Sequence, residues 1–222
     1  HKQRTLLLES VREYEDVRDE ANRTDTEAHF GRVFQICHEK HSELQPEMRK
    51  YKGRVVFGGD QVTDHTSHFA LFHDISSCGS LMVAGKICDA IACLPGHIGE
   101  QSDAPSAYTQ SELYEGHDQV DTWVFLPEDQ WPPEWHGRYR RPVCKLRLAL
   151  YGHPLAGAFW EKHCQRILVS HGFKMVPHWE CCYFHETLKV FLTIYVDDFK
   201  MAGPKMGVKQ AWAMLQQDIT LD

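Results

Sequence analysis

The spacing of apolar positions changes several times along the chain, and each change marks an expected element. Residues 1–49 read as a helical segment. Thr24-x-x-Glu27 has the form of a capping box, and Phe30, Val33, Phe34, Cys37, His41 and Leu44 then recur at helical spacing until Pro46. Arg54-Val55-Val56-Phe57 reads as a short strand ended by the Gly58-Gly59-Asp60 turn. Residues 61–80 are polar and carry no clear period. Residues 81–94, with Leu81, Ala84, Cys88 and Ile91 on one side, predict a buried helix stopped at Pro95-Gly96. A strand is expected at 122–126, before the proline-rich loop 127–135, and residues 143–150 lead to Tyr151-Gly152. A helix follows over 156–171, with Trp160, Cys164, Ile167 and Leu168 as its apolar face and Gly172 at the C′ position. Strands near 181–185 and 189–196, a second hairpin arm over 199–202 stopped by Gly203-Pro204, and a helix over 208–219 complete the pattern. Mixed helices, strands and hairpins without an internal repeat point to an α+β fold.

Composition narrows the class. The hydrophobic content of 42% and charged content of 25% are those of a globular chain with enough apolar residues for a core. No apolar run approaches the roughly 18 residues of a membrane span, so no membrane association is expected. The opening HKQRTLLLESVREYEDV turns acidic too soon for a signal peptide. It starts on His1 rather than Met, which suggests a piece of a longer polypeptide. Eight cysteines without such a signal favour reduced thiols in an intracellular setting. Cys37, Cys78, Cys88, Cys93, Cys144, Cys164, Cys181 and Cys182 form no C-x2-C pair. In the tightest cluster, Cys181-Cys182-x-x-His185, strand alternation sends the two thiols to opposite faces. Buried cysteines are therefore expected rather than a zinc site, and His38 and His41 read as surface or boundary residues rather than ligands.

The net charge of −7 argues against a nucleic-acid partner, but its distribution differs. Between Arg138 and Val176, eight Lys or Arg residues face a single acid, Glu161. Such a stretch suits phosphate backbone or, equally, a solvated surface.

The sharpest chemical signal is Val190-Phe-Leu-Thr-Ile-Tyr195-Val196-Asp197-Asp198-Phe199-Lys-Met-Ala202, an apolar strand that breaks at two carboxylates and resumes. Buried acids are costly unless paired or coordinated, so two at a strand tip ask for a cation or solvent; a plain hairpin turn is the simpler alternative. A second acid, Asp103, stands in Gln101-Ser-Asp103-Ala-Pro-Ser-Ala107-Tyr108. Hard Mg²⁺ is held by one or two carboxylates plus substrate phosphates, which requires acids from separate strands to converge at one sheet edge.

These segments resemble, in order, the reverse transcriptases of copia-type LTR retrotransposons. Tyr195-Val196-Asp197-Asp198 matches the YVDD box. Lys52-x-Arg54-Val55-Val56 resembles the fingers strand, and Asp103-x-x-x-Ala107-Tyr108 the first-acid segment. Thr122-Trp-Val-Phe-Leu-Pro127 resembles the strand before the proline-rich loop. Val143-Cys-Lys-Leu146, Leu150-Tyr151-Gly152 and Trp160 resemble the block that follows, and Gly172-Phe173 and Cys182-Tyr-Phe184 fall in place. The likeness covers about residues 50–204.

The resemblance implies a right-hand polymerase fingers and palm, with an antiparallel palm sheet backed by helices. Fingers would occupy 50–102, the palm 103–204 with a fingers portion interleaved at about 128–160, and 205–222 the start of a thumb or connection. It implies RNA-directed DNA polymerase activity with two Mg²⁺ ions, or Mn²⁺, held by Asp103, Asp197 and Asp198. Tyr108 would lie under the incoming sugar, Lys52 and Arg54 would grip the triphosphate, and Tyr151 and Gly152 would form the floor. Partners would be an RNA or DNA template with its primer, dNTPs, and the rest of a Pol polyprotein (thumb, RNase H, integrase). The setting would be intracellular, in a cytoplasmic particle or the nucleus.

Three departures stand against the pattern. His153-Pro154-Leu155-Ala156 lacks the family's nucleotide-contacting Gln, Gly58-Gly59 replaces a cation at the end of the fingers strand, and residues 60–80 lack the expected acidic-aromatic segment. They motivate a second expectation, an inactive remnant that at most binds nucleic acid. A metal-binding or scaffold protein using the 15 histidines and the cysteines is the third.

Overall fold

The computed structural model describes residues 5–72, 79–113 and 120–222. The fold is mixed α+β, with four α-helices and two sheets among the described residues. Contacts divide the chain into two compact units, His1–His73 with Glu112–Ala156, and Asp74–Ser111 with Gly157–Asp222.

The first unit is built on a six-stranded sheet. Its strands are β1 (Leu6–Glu13), β2 (Ala28–Lys40), β3 (Lys50–Phe57), β4 (Thr63–Asp64), β6 (Asp121–Phe125) and β7 (Pro142–Leu146), in the order β1-β7-β6-β2-β3 with β4 on β2. Helix α1 (Tyr14–Thr24) lays Tyr14, Val17 and Ala21 on Ala28, Phe30, Trp123 and Val143. The helix ends at Asp25, whose backbone is left-handed at φ 52°. The helical segment expected over 1–49 is not formed across its described residues, 5–49: α1 is flanked by two strands, and the proposed capping box at Thr24 lies at the end of a helix rather than its start. The run from Phe30 to Leu44 satisfies a helical spacing, but Phe30, Phe34 and Ile36 fit a period of two as well. Its aromatic and β-branched residues suit the pleated surface that β2 builds with β3 and β6. Gly31 makes room for the Phe57 ring, which is 1% exposed.

The second unit is built on a five-stranded antiparallel sheet whose strands, in order across it, are β5 (His97–Asp103), β11 (Asp198–Pro204), β10 (Val190–Tyr195), β9 (Cys182–His185) and β8 (Lys174–Met175). Strand alternation sorts its faces. Val190, Leu192, Ile194, Phe199 and Met201 share one core with Trp160, Cys164 and Leu168 of α3 (Ala156–Ser170) and Val208, Ala211 and Leu215 of α4 (Lys205–Leu215). Phe191, Ala202 and Cys182 face the other way, against Ala84 and Cys88 of α2 (Met82–Ala92). Helices thus back both faces of this sheet. Gly99 permits the approach of α2, since a Cβ there would lie 2.8 Å from the Cβ of Ala92. Helix α2 is less buried than its sequence predicts: Leu81 and Met82 are exposed, and only Ala84 and Cys88 are fully covered. Gly172 closes α3 with φ 86°, as its position requires. Cys181 has φ 53° and precedes β9, and the two adjacent cysteines are buried in opposite cores, Cys181 with Trp160 and Cys182 with Ala84 and Cys88. Cys78 lies outside the described residues, as does the part of 61–80 that spans 73–78.

Candidate functional site

The second unit places the carboxylates. In the β10–β11 hairpin, Tyr195 pairs with Asp198, leaving Val196 and Asp197 as the turn. Val196 has φ 56°, a conformation that a β-branched residue adopts at a cost of about 1–3 kcal/mol. Two hydrogen bonds hold it there. The Trp160 indole Nε1 donates to the Val196 carbonyl at 2.6 Å, and the Ala104 amide donates to the Asp197 carbonyl at 2.8 Å. The tip is therefore fixed from α3 on one side and from the residue after Asp103 on the other.

Strand β5 pairs with β11 along its whole length, and the register sets Asp198 directly opposite Asp103. Opposed residues of an antiparallel pair share a face, with Cβ atoms about 4.5–5.5 Å apart. Tyr195, Asp198 and Asp103 thus lie in a row across three strands, and all three are exposed. Two carboxylates directly opposed destabilise a sheet unless something positive sits between them. The lysine two residues along the same face, Lys200, is engaged by Asp89 at 2.6 Å.

Asp197 is half-buried in the turn. Its charge reaches the Tyr108 hydroxyl: burial raises that phenol's pKa first, and the negative charge of Asp197 raises it further. Tyr108 follows Ser106, whose φ is 56°, in a short 3₁₀ turn (Ala107–Gln110) that packs on the sheet core. Behind the hairpin, Tyr108, Trp160, Cys164, Tyr183 and Val196 enclose a cavity of only about 30 Å³. That is room for a water molecule rather than a substrate.

The structure brings Asp103 and Asp198 together as a pair. Among the described residues, no group of three or more His, Cys, Asp and Glu side chains is arranged to hold a metal ion. Two exposed carboxylates on one face still match the donor set of Mg²⁺, which takes one or two protein carboxylates and completes its shell with phosphates and water.

The remaining expected residues belong to the first unit. Lys52 and Arg54 stand on one face of β3, both exposed, in register with His38 and Ile36. The pair Lys40–Lys50 continues that cationic face. The Arg54 guanidinium lies 5.8 Å over the Tyr151 ring. Gly152 has φ 87°, and a Cβ there would collide with the Phe57 carbonyl oxygen. Gly59, which keeps the family's glycine, is packed as tightly against the Gly152 carbonyl, whereas at Gly58, the position that lost a cation, a Cβ would meet the Arg32 side chain at 3.2 Å. The stretch in which Leu155 stands in place of the family's Gln also carries a buried histidine. His153 Nδ1 accepts from the Leu155 amide at 3.2 Å, and its Nε2 lies 3.3 Å from Thr122 Oγ1.

The basic stretch is partly neutralised. Arg141 pairs with Glu15, Lys145 with Asp121, Arg147 with Glu112 and Lys174 with Glu186. Sequence reasoning missed the second role of Trp160, which read only as an apolar face. The usable signal was the indole N–H, which seeks a partner whenever the ring is buried. No known family model matches this chain, and no curated protein matches it significantly.

Proposed function

We propose that this chain carries the nucleotidyl-transfer centre of an RNA-directed DNA polymerase, of the kind its segments resemble in copia-type retrotransposons. One observation carries the reading: Asp103 and Asp198, acids from segments far apart in sequence, are directly opposed and exposed on neighbouring strands beside a strained, doubly anchored turn. Like charges held together in this way suit divalent cations. Two Mg²⁺ ions, or Mn²⁺ in their place, would be held at the Asp103–Asp198 pair, with Asp197 as the further acid that the resemblance implies, and when bound would supply charge neutralisation for the attacking 3′-oxygen and departing pyrophosphate.

The other roles fall to the chain's own groups. Tyr108, beside Asp197, would lie under the sugar of the incoming dNTP and leave no room for a 2′-hydroxyl. Lys52 and Arg54 would bind triphosphate oxygens, a task for which an ammonium and a forked guanidinium are both suited. Tyr151, lying under Arg54, and Gly152 would form a floor for the template and nucleotide. The primer 3′-oxygen attacks the α-phosphate in line; the new phosphodiester bond forms as the bond to pyrophosphate breaks.

A second reading, a palm-like remnant that has lost catalysis, is favoured by the way the departing positions are used. Gly58 leaves no cation at the end of the fingers strand, and Leu155 has no amide side chain to offer a nucleotide. Magnesium-dependent dNTP incorporation on poly(rA)/oligo(dT) separates the two. Incorporation by the wild-type chain that disappears in Asp103→Asn and in Asp198→Asn supports the polymerase. Full activity in either variant would sink the assignment, and no incorporation by a folded wild-type chain would leave the remnant.

A further inference from the structure

Asp103 ends β5, which among the described residues has no neighbouring strand on its outer side. That side is occupied instead by residues 219–222. The Asp222 amide donates to the Asp103 carbonyl at 2.9 Å, and Ser102 Oγ donates to the Asp222 carbonyl at 2.6 Å. Gln110 binds the same segment in both directions: its Oε1 accepts from the Thr220 amide at 2.8 Å and its Nε2 donates to the Thr220 carbonyl at 3.1 Å. Nε2 also donates to the Pro105 carbonyl at 3.1 Å. The segment itself is anchored, with Ile219 at 1% exposure in the core and Leu221 packed against it.

Four consecutive residues around the first acid are therefore held. Ser102, Asp103 and Pro105 are tied to Gln110 or the 219–222 segment, and Ala104 to the hairpin turn through Asp197. These bonds hold the backbone on either side of Asp103, on the strand that sets it opposite Asp198. We propose that Gln110 and residues 219–222 form a latch that fixes the backbone at Asp103 and thereby sets the divalent-cation affinity of the Asp103–Asp198 pair. The inference rests on the metal-binding reading of that pair. Gln110 is a positioning residue: it acts through the backbone on either side of Asp103, as outer-shell partners orient metal ligands elsewhere.

The test is Mn²⁺ binding to the full chain, read from the electron paramagnetic resonance signal of the free ion, with thermal unfolding as the check on folding. Gln110→Ala and Ser102→Ala are each expected to weaken Mn²⁺ about tenfold, the lower end of the loss usual when outer-shell hydrogen bonds are removed. Incorporation by Gln110→Ala should return to the wild-type rate at saturating Mn²⁺, which a general loss of structure would not allow. Unchanged Mn²⁺ affinity in folded Gln110→Ala overturns the latch. Should that variant fail to fold, Ser102→Ala decides by the same criterion. The underlying reading fails differently: a wild-type chain that binds no Mn²⁺, or an Asp198→Asn variant that binds it equally well, removes the metal site and the latch together. Asp198-dependent binding with both latch variants unaffected removes the latch alone.

Discussion

Protonation of His153 should be the main acid weakness of the first unit. Its imidazole is 5% exposed, with the Phe57 ring centroid 5.0 Å away and that of Phe72 at 5.8 Å. Nδ1 accepts from the Leu155 amide, so the proton sits on Nε2, facing Thr122 Oγ1. A second proton would have to displace the Leu155 bond and place a charge in an apolar pocket near His29. Burial foremost, and then His29, push the pKa of His153 down to about 3. His29 is bonded to Glu27 at 2.9 Å, so that carboxylate is already engaged. An unfolded histidine titrates near 6.5. Below that pH the unfolded chain takes up a proton that the folded chain refuses, so the stability contribution is complete above pH 6.5 and is lost as pH falls toward 3. Each pH unit within that window costs about 1.4 kcal/mol, or on the order of 2 kcal/mol between pH 7 and pH 5. That is a large share of the roughly 5–15 kcal/mol by which domains are stable. The assay is urea unfolding at pH 7 and pH 5, followed by tryptophan fluorescence, for the wild-type chain and His153→Gln. The glutamine stays neutral, so about 2 kcal/mol of the pH dependence should vanish with it. An identical loss of stability at pH 5 in both proteins would refute the reasoning.

Other consequences follow from single positions. Gly152→Ala should destabilise the first unit by at least about 2 kcal/mol in calorimetric unfolding, because φ is 87° and the new Cβ meets the Phe57 carbonyl. A melting point unchanged by the substitution would contradict the close approach. Tyr108→Ala should admit ribonucleotides in a primer-extension assay; unchanged sugar discrimination would reject Tyr108 as the gate. Iodoacetamide at pH 8, with peptide mapping, should modify exposed Cys37 and Cys93 quickly and spare Cys88 and Cys164. Burial pushes the Cys88 thiol up to about 11 and raises that of Cys164 as well. Equal labelling of all four would show that α2 and α3 do not cover their thiols.

The parts of this molecule legible in its sequence are those whose signal is local. The hairpin could be read because an apolar run breaks at Asp197-Asp198 and resumes, and α3 because its apolar face ends at a glycine suited to φ 86°. Residues 28–40 were misleading because their apolar positions satisfy periods of both 3.6 and 2, and only the neighbouring strands β3 and β6 decide between them. The pairing of Asp103 with Asp198 rests on the register between β5 and β11, two strands distant in sequence, and no local pattern encodes it. Gln110 is more hidden still, since its partner Thr220 lies 110 residues away. The left-handed backbone of Val196 also leaves no trace in its residue type; it follows from the bonds made by Trp160 and Ala104.

Thermal unfolding with and without Mg²⁺ tests whether a divalent cation binds between Asp103 and Asp198. Without the cation, Asp198→Asn should melt above the wild-type chain by about 1–4 °C, as relief of one opposed like-charge pair implies. With Mg²⁺ the wild-type midpoint should rise, by about 2.7 kcal/mol of added stability at a hundred times Kd, while that of the variant stays where it was. A wild-type midpoint indifferent to Mg²⁺, together with a variant no more stable than wild type in its absence, would contradict the account.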